Sequence, residues 1–573
     1  MPTRRIERRF LIPVLHAAVA LSAWSAARAG DITGCVKDRS SQAPVAGALV
    51  TVMPAGTSAV GGTATTDAEG RYTVRLPGPG SFTVVVSKEG YADLKAGDVI
   101  ELTEAAPDHR QDISITRQGA FKEQGRTVPG AMSWETGARK SYLVPALEIP
   151  SFLLALNGFD RLAHPNDRED GKRVYSSTFT SMRDHAFHGP WVVDTDAFAM
   201  NQFMHPYTGT VYHTFARSSG LTYWEALLYD QAGSFLWETG GETTKPSYND
   251  QIATGIGGSF FGEVLFRLSN LMLESKGRDP GFWNRTAAAL LAPAAAINRF
   301  AFGTRFKPVF PSNNPALRWR LQLGGSLHSN LVSQGVATTT RRNEATLDFS
   351  LDYGLPGKGT YTYDRPFDYF QFEFRTLGKM SNPVDSIMIR GLLYGAGYEL
   401  GDDLQGIWGL YGGYDYIAPT IFRVASTSVS VGTTLQWQPA PAISFQGSLL
   451  GGFGYAAAGN VAQVGDRDYH FGIAPQGLAA FRFILGDVVM FDLTGRRYYI
   501  TGTGGNDPGG REAIERLNLG LTFRIYHRHA LGIQYIASRR DAHYPDRADS
   551  RQTVGTVALV YSLLGFAGFG ATR

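Results

Sequence analysis

From about residue 316 to the end, apolar and polar residues alternate along segments too long for an ordinary β-sandwich. In "RLNLGLTFRIY", Leu517, Leu519, Leu521, Phe523 and Ile525 oppose Arg516, Asn518 and Arg524. In "ALRWRLQLG", Leu317, Trp319, Leu321 and Leu323 oppose Arg318, Arg320 and Gln322; in "DYFQFEFR", Phe370, Phe372 and Phe374 oppose Gln371, Glu373 and Arg375. About twelve such segments, mostly ten to sixteen residues long, precede Leu564. A period of two is a strand with two different faces. Soluble strands usually run about five or six residues. Strands of nine or more, apolar on one face and polar on the other, are what a bilayer demands, because only a closed barrel pairs every backbone group in lipid. The expectation for 316–573 is therefore an antiparallel outer-membrane barrel of about twelve strands, with a secreted soluble β-protein as the alternative. Barrels of this kind often end on an aromatic residue. This chain ends "FAGFGATR", so Phe569 serves or the last strand stops near Leu564.

The first 29 residues read as a cleaved signal peptide, with Arg4, Arg5, Arg8 and Arg9, an apolar run from Phe10, and Ala27-Arg28-Ala29 at the cut. They carry a charge of +4 against +3 for the whole chain, so the remainder is near −1 and a nucleic-acid partner is not expected. The single cysteine, Cys35, allows no internal disulfide; "ITGC" is either a lipid attachment box or part of a first strand. After residue 29 no uninterrupted apolar run reaches about eighteen residues, so no membrane-crossing helix is expected.

Residues 32–117 alternate on a shorter scale between Gly/Pro turns and read as a small antiparallel β-sandwich. Gly47-Ala48-x-Val50, Thr66-Asp67-x-x-Gly70-x-Tyr72 and Gly90-Tyr91 resemble the carboxypeptidase regulatory-like (transthyretin-like) family. The resemblance implies a seven-stranded-type accessory sandwich without catalytic residues, a periplasmic docking module for a protein partner.

Residues 118–150 read as a linker and 151–303 as a helical region that plugs or caps the barrel. Helices are expected over 150–163, 220–242 and 247–275. Trp224, Leu228, Gln231, Phe235, Glu238 and Glu242 step by four and three, so both glutamates continue one aromatic, inward-looking stripe. At a helix C-terminus, four residues apart, they meet an adverse dipole and each other. Glu238 and Glu242, with His205, are the candidate acid/base residues. Ser247 with Asp250 three on is a helix start, or Ser247 is a nucleophile. Asp194, Asp196, Asn201, His213, Arg217, Trp237 and Glu263 complete the candidate binding set, and Asp194 and Asp196 are read on one strand face. The spacing matches no standard zinc signature; no metal and no cofactor are expected.

Residues 194–263 resemble the bacterial domain-of-unknown-function family 3943 through Asn201, His205-Pro206-Tyr207, Ala216-Arg217, Trp224-Glu225, Trp237-Glu238, Glu242, Pro246-Ser247, Asn249-Asp250 and Gly262-Glu263. The resemblance implies an envelope protein, typically with a barrel after it, and no known reaction. Three functional classes follow. The first is a plugged barrel that binds or passes an envelope ligand, with the inward Arg, Glu and Asp rows setting selectivity. The second is an outer-membrane enzyme that modifies lipid or lipopolysaccharide. The third is an assembly or attachment protein acting through the sandwich. Each implies outer-membrane lipid and the barrel-assembly machinery as partners.

Overall fold

The computed structural model describes residues 30–569 with short breaks, among them 39–42, 116–121, 275–279, 379–383 and 461–468. The signal-peptide reading therefore lies outside the described residues. Residues up to Ile115 form one unit and those from Thr116 another.

The first unit is the expected sandwich. One sheet pairs Gly30–Asp38 with Arg71–Leu76, His109–Arg110 and Ile113–Ile115; the other runs Gly62–Thr65, Leu49–Pro54, Gly80–Ser87 and Leu94–Lys95, with Ile100–Leu102 also on Gly80–Ser87. Val36, Val50, Leu76 and Val84 are fully buried between them. The motif residues are turn makers. Thr66 Oγ1 accepts from Ala48 N at 2.8 Å and donates to Val45 O at 2.7 Å. Asp67 Oδ1 accepts from the amides of Glu69 and Arg71. Gly70 takes φ +74°, which a side chain rarely adopts. Cys35 pairs with Arg71 midway along the first strand. Cleavage ahead of Cys35 for lipidation would remove the half of that strand that pairs with Tyr72–Leu76.

In the second unit twelve strands close into an antiparallel barrel. They are β1 (Leu317–His328), β2 (Asn343–Tyr353), β3 (Phe370–Leu377), β4 (Val384–Leu400), β5 (Leu404–Ile417), β6 (Phe422–Ala440), β7 (Ile443–Asn460), β8 (Tyr469–Leu485), β9 (Val489–Thr501), β10 (Arg511–Tyr526), β11 (His529–Tyr544) and β12 (Arg547–Leu564). Each pairs with the next, and β1 pairs with β12 from Arg320↔Leu564 to His328↔Thr556, which leaves no open edge. Outward side chains such as Trp408, Val431, Leu449, Phe453, Leu531 and Leu559 are exposed and apolar. That is the belt of an outer-membrane barrel. Phe569, beyond the last strand, is buried against Ile484, Met490 and Leu564.

Before the barrel come α1 (Leu143–Ala163), α2 (Phe179–Phe187), α3 (His205–Ser218), α4 (Tyr223–Gly240), α5 (Tyr248–Ile252), α6 (Gly258–Glu274), α7 (Phe282–Leu291) and α8 (Pro293–Ala301). One π-turn, Ala253–Gly257, joins α5 to α6. Two sequence expectations are corrected. Helix α1 starts inside the stretch read as linker. It is also long and apolar enough to cross a membrane, with only 22% of its apolar window buried. Pro145, Pro150, Glu148 and Asn157 broke its apolar run in the sequence. In the fold Glu148 meets Asn298, and Asn157 donates to Gly241 O at 2.6 Å, so both polar groups turn inward.

The second correction concerns the plug. The helices do not enter the barrel; they pack on its outer wall. Phe261 stacks on Phe372 and Tyr414, Phe198 lies tilted against Tyr416 and edge-on to Tyr469, and Phe260 lies against Gly412. All of these strand residues share the outward parity of Trp408 and Leu410, opposite Asp415. The lumen is instead filled by the strands' own side chains. Leu392, Ile407, Tyr411, Leu450 and Leu478 close one end with Leu355 and Tyr369. Met388, Ile417, Phe422, Val424, Tyr498 and Ile500 close the other. The inward charges pair with one another: Arg318–Asp352 at 2.6 Å, Arg482–Asp492 at 2.7 Å, Arg320–Asp492 at 2.8 Å, and Arg390–Asp415 with Tyr498 donating to the same carboxylate at 2.6 Å. A polar cavity of about 90 Å³ remains beside Arg318, Arg320, Asp352, Arg482 and Asp492. Those rows were expected to set what passes; they are spent on holding the wall closed.

Candidate functional site

Helix α4 starts where Thr222 and Glu225 form a reciprocal capping box. It buries Tyr223, Ala226, Asp230, Gly233, Ser234 and Glu238. The stripe expected to look inward does so only at its end. Trp224, Leu228 and Phe235 are 50%, 69% and 40% exposed; Trp191 of a covering segment, 191–194 with Pro246–Ser247, stacks on Phe235, and the segment closes over the helix at Glu238.

Eight of the candidate residues converge there. Glu238 Oε2 accepts from the Ser247 amide at 2.7 Å. Ser247 caps α5, accepting from Asp250 N at 3.2 Å, and its hydroxyl donates to Asp250 Oδ2. Asn249 donates to Asp250 Oδ1 at 2.9 Å and accepts from the Asp194 amide at 2.7 Å. Asn201 donates to Asp194 Oδ2 at 2.9 Å and to the Tyr469 hydroxyl of β8 at 2.9 Å, and that hydroxyl donates to Asp196 O. His205, the first residue of α3, faces Asp250 at 3.9 Å and has Thr254 Oγ1 3.1 Å from Nδ1. Glu242 accepts from the Thr244 hydroxyl at 2.9 Å.

Among the described residues the segment around Asp194 and Asp196 makes one bridge, Val192 to Ser247, so the expected strand face is not a strand. Asp194, Glu238, Glu242 and Asp250 form no ion pair with a lysine or arginine among the described residues. Burial pushes the Glu242 carboxyl up to about 7, with the Thr244 hydroxyl and His205 pulling the other way. Nearby Asn201 Oδ1 and Gln251 Oε1 are buried acceptors without a partner among the described residues. The arrangement can hold and exchange protons, and it is short of donors. Among the described residues no group of three or more His, Cys, Asp or Glu is placed to hold a metal ion.

The other candidates lie elsewhere. Glu263 of α6 is fully buried and accepts from His213 Nε2 at 3.1 Å, Arg217 Nε at 2.7 Å, Arg217 Nη2 at 3.1 Å and Arg267 Nε at 2.8 Å. His213 Nδ1 meets Asp230 at 2.7 Å, and Arg267 reaches Asp368 at 3.0 Å and Pro366 O at 2.7 Å. Arg217 and Arg267 also lie over Phe310. This second cluster ties α3, α4 and α6 to the connection between β2 and β3. Trp237 packs with Ile149, Leu153 and Tyr212, apart from both clusters. Sequence reasoning missed Asp230, Arg267, Asp368, Asn249 and Tyr469. Arg267 stands four residues after Glu263 on one helix, a spacing that could have paired them. Asp368 and Tyr469 left no local signal.

A span running from the 191–194 segment through both clusters to α8 is what a family model recognises: residues 190–294 match Domain of unknown function (DUF3943). The helical segment carries a DUF3943 domain. Residues 31–116 match Carboxypeptidase regulatory-like domain. No curated protein matches the chain. Among solved structures, a cohesin–X-dockerin complex from Acetivibrio cellulolyticus is 21% identical over 17% of this chain and 64% of that chain, at TM-score 0.13. The NanC porin is 10% identical over 42% of this chain and 98% of its own, at TM-score 0.22. The outer membrane channel DcaP of Acinetobacter baumannii is 8% identical over 43% and 96%, at TM-score 0.22. At these scores the likeness adds nothing to the strand count and closure read from the barrel itself. The DUF3943 domain thus holds an acid-rich cluster at the barrel wall and a separate charged hub beneath it.

Proposed function

We propose that the protein is an outer-membrane enzyme of acid–base type, acting on an envelope lipid or lipopolysaccharide, with the closed barrel as its anchor. The observation that carries this reading is the convergence of Asp194, Asp196, His205, Glu238, Glu242 and Asp250 in the DUF3943 domain, beside a barrel whose lumen is filled. Glu242 and His205 are the partly exposed members and take the proton-transfer roles. Glu238 and Asp250, 8% and 4% exposed, hold the Ser247 turn in place. Ser247 is engaged as a helix cap, so acid–base chemistry is preferred to a serine nucleophile. Asp194, Glu238, Glu242 and Asp250, which have no lysine or arginine partner among the described residues, favour a substrate that brings donors or positive charge, such as an amino-sugar or amine headgroup.

Mass spectrometry of outer-membrane lipid and lipopolysaccharide tests this in a deletion strain carrying wild type, Glu242→Gln or His205→Asn. A mass shift restored by wild type and reduced about 100-fold or more in either variant is expected. Identical profiles in all strains, with each variant assembled in the membrane, would sink the reading.

Passage through the barrel makes a different prediction. The described inward side chains pack into apolar layers and ion pairs, and the polar cavity beside Arg318 and Arg482, about 90 Å³, has room for a few waters. Purified protein in planar bilayers is expected to give no stable channels above the lipid baseline. Steady ohmic steps would restore the channel reading.

A further inference from the structure

We propose that the helical bundle is itself embedded in the outer membrane, with lipid acyl chains covering its outer faces. Three observations meet. The exposed side chains of α1 between Leu143 and Phe159 include no charge: Leu143, Leu147, Leu154 and Phe159 are 60–75% bare. Those of α4 are likewise apolar, and Leu290, Ile297 and Phe300 extend the surface over α7 and α8 at 76%, 53% and 92%, with Arg285 an exposed charge near the start of α7. A water-soluble surface rarely leaves contiguous apolar patches beyond a few hundred Å².

The second observation is length. The 21 residues of α1 span about 31 Å, close to the roughly 30 Å of a hydrocarbon core. Of its internal polar side chains, Glu148 and Asn157 are turned to protein partners, and the exposed Ser151 donates to Leu147 O of its own helix at 2.7 Å, as lipid requires.

The third is continuity with the barrel's own lipid surface. The bundle follows one row of cross-strand neighbours around the wall: Phe374, Ile387, Tyr416, Ala425, Ala457 and Phe471. Five strand spacings make about 24 Å, and a strand tilt of about 40° turns about 15 Å of that into rise along the barrel axis. A bundle laid on such a diagonal overlaps more than half the height of an apolar belt about 25 Å tall rather than sitting above or below it. On the same strands, Trp408, Leu410, Val429 and Phe453 begin the bare belt immediately beside the covered residues. The acyl chains that wet those positions are the occupant in reach of α1, α4 and α7. A soluble domain docked on the wall would instead carry charge on its outer faces.

The test uses the full chain in a Cys35→Ser background, with spin labels at Leu154→Cys, Leu228→Cys and Leu290→Cys, reconstituted in phosphatidylethanolamine/phosphatidylglycerol vesicles. Leu559→Cys on the barrel belt and Glu101→Cys on the sandwich are the lipid and water references. The expected result is an oxygen-to-nickel-complex accessibility ratio within about twofold of the Leu559 label at all three positions. A ratio like that of Glu101 would overturn the proposal. So would labels closed to both reagents, which would mean that a protein partner or second copy covers the face. Should a cysteine variant fail to assemble, the unlabelled protein gives the same answer through brominated-lipid quenching. Fluorescence loss that shrinks in Trp224→Phe and Trp283→Phe is expected, and no quenching beyond the barrel's own tryptophans counts against embedding.

Discussion

Glu263→Ala is expected to destabilise the folded protein by about 3–5 kcal/mol, the cost of stranding buried charge. Glu263 is the single acceptor shared by His213, Arg217 and Arg267, all at most 3% exposed. Its removal leaves Arg217 with only Leu221 O and the ring faces of Phe266 and Phe310, and brings two guanidinium groups together without the carboxylate between them. The control is Asp541→Ala. Its pairs with Arg539 and Arg551 lie on the exposed barrel surface and are worth about 1 kcal/mol or less. Urea unfolding in detergent, followed by the heat-modifiable gel shift, measures both. Equal midpoints for the two variants would mean that the hub does not hold the bundle to the wall.

Gly209→Ala is expected to cost about 3 kcal/mol or more, the upper range for overpacking, because the obstruction is backbone. A Cβ at Gly209 would sit 1.9 Å from the Thr254 carbonyl oxygen and 3.0 Å from Gly258 Cα. No rotamer change relieves that contact. Helix α3 must move off the π-turn and carry His205 away from Asp250. Gly158→Ala in α1 meets nothing within 4 Å. There the same methyl should stabilise by about 0.5–1 kcal/mol through helix propensity. The same gel-shift assay distinguishes them; a Gly209→Ala protein that assembles and melts like wild type would mean that α3 and α6 do not cross this closely.

Much of the fold was legible in local pattern. Period-two alternation marked the barrel strands and their number, because a wall with lipid on one side and packed charge on the other must alternate at every residue. The turn residues Thr66, Asp67 and Gly70 marked the sandwich for a similar reason: each answers a local backbone need. The Ser247–Asp250 spacing marked a helix start, met where Ser247 caps α5. The candidate site was legible as a set of residues but not as groups. His213, Arg217 and Glu263 read like the acidic cluster's neighbours, yet they form their own hub, since pairing of buried charges depends on which helices cross.

That residues 316–573 form barrel strands and that the DUF3943 stretch is helical both follow from side-chain period. Where the helices go was set by packing between distant parts of the chain. The apolar stripe of Trp224, Leu228 and Phe235 is compatible with a core, a lumen or lipid, and nothing along the chain chooses among them. The choice comes from the barrel. Its inward charges neutralise each other and fill the lumen, while its outward Phe372, Tyr414, Tyr416 and Tyr469 offer an aromatic wall. Helices with apolar faces pack where apolar area is available, and in this protein that is the outside.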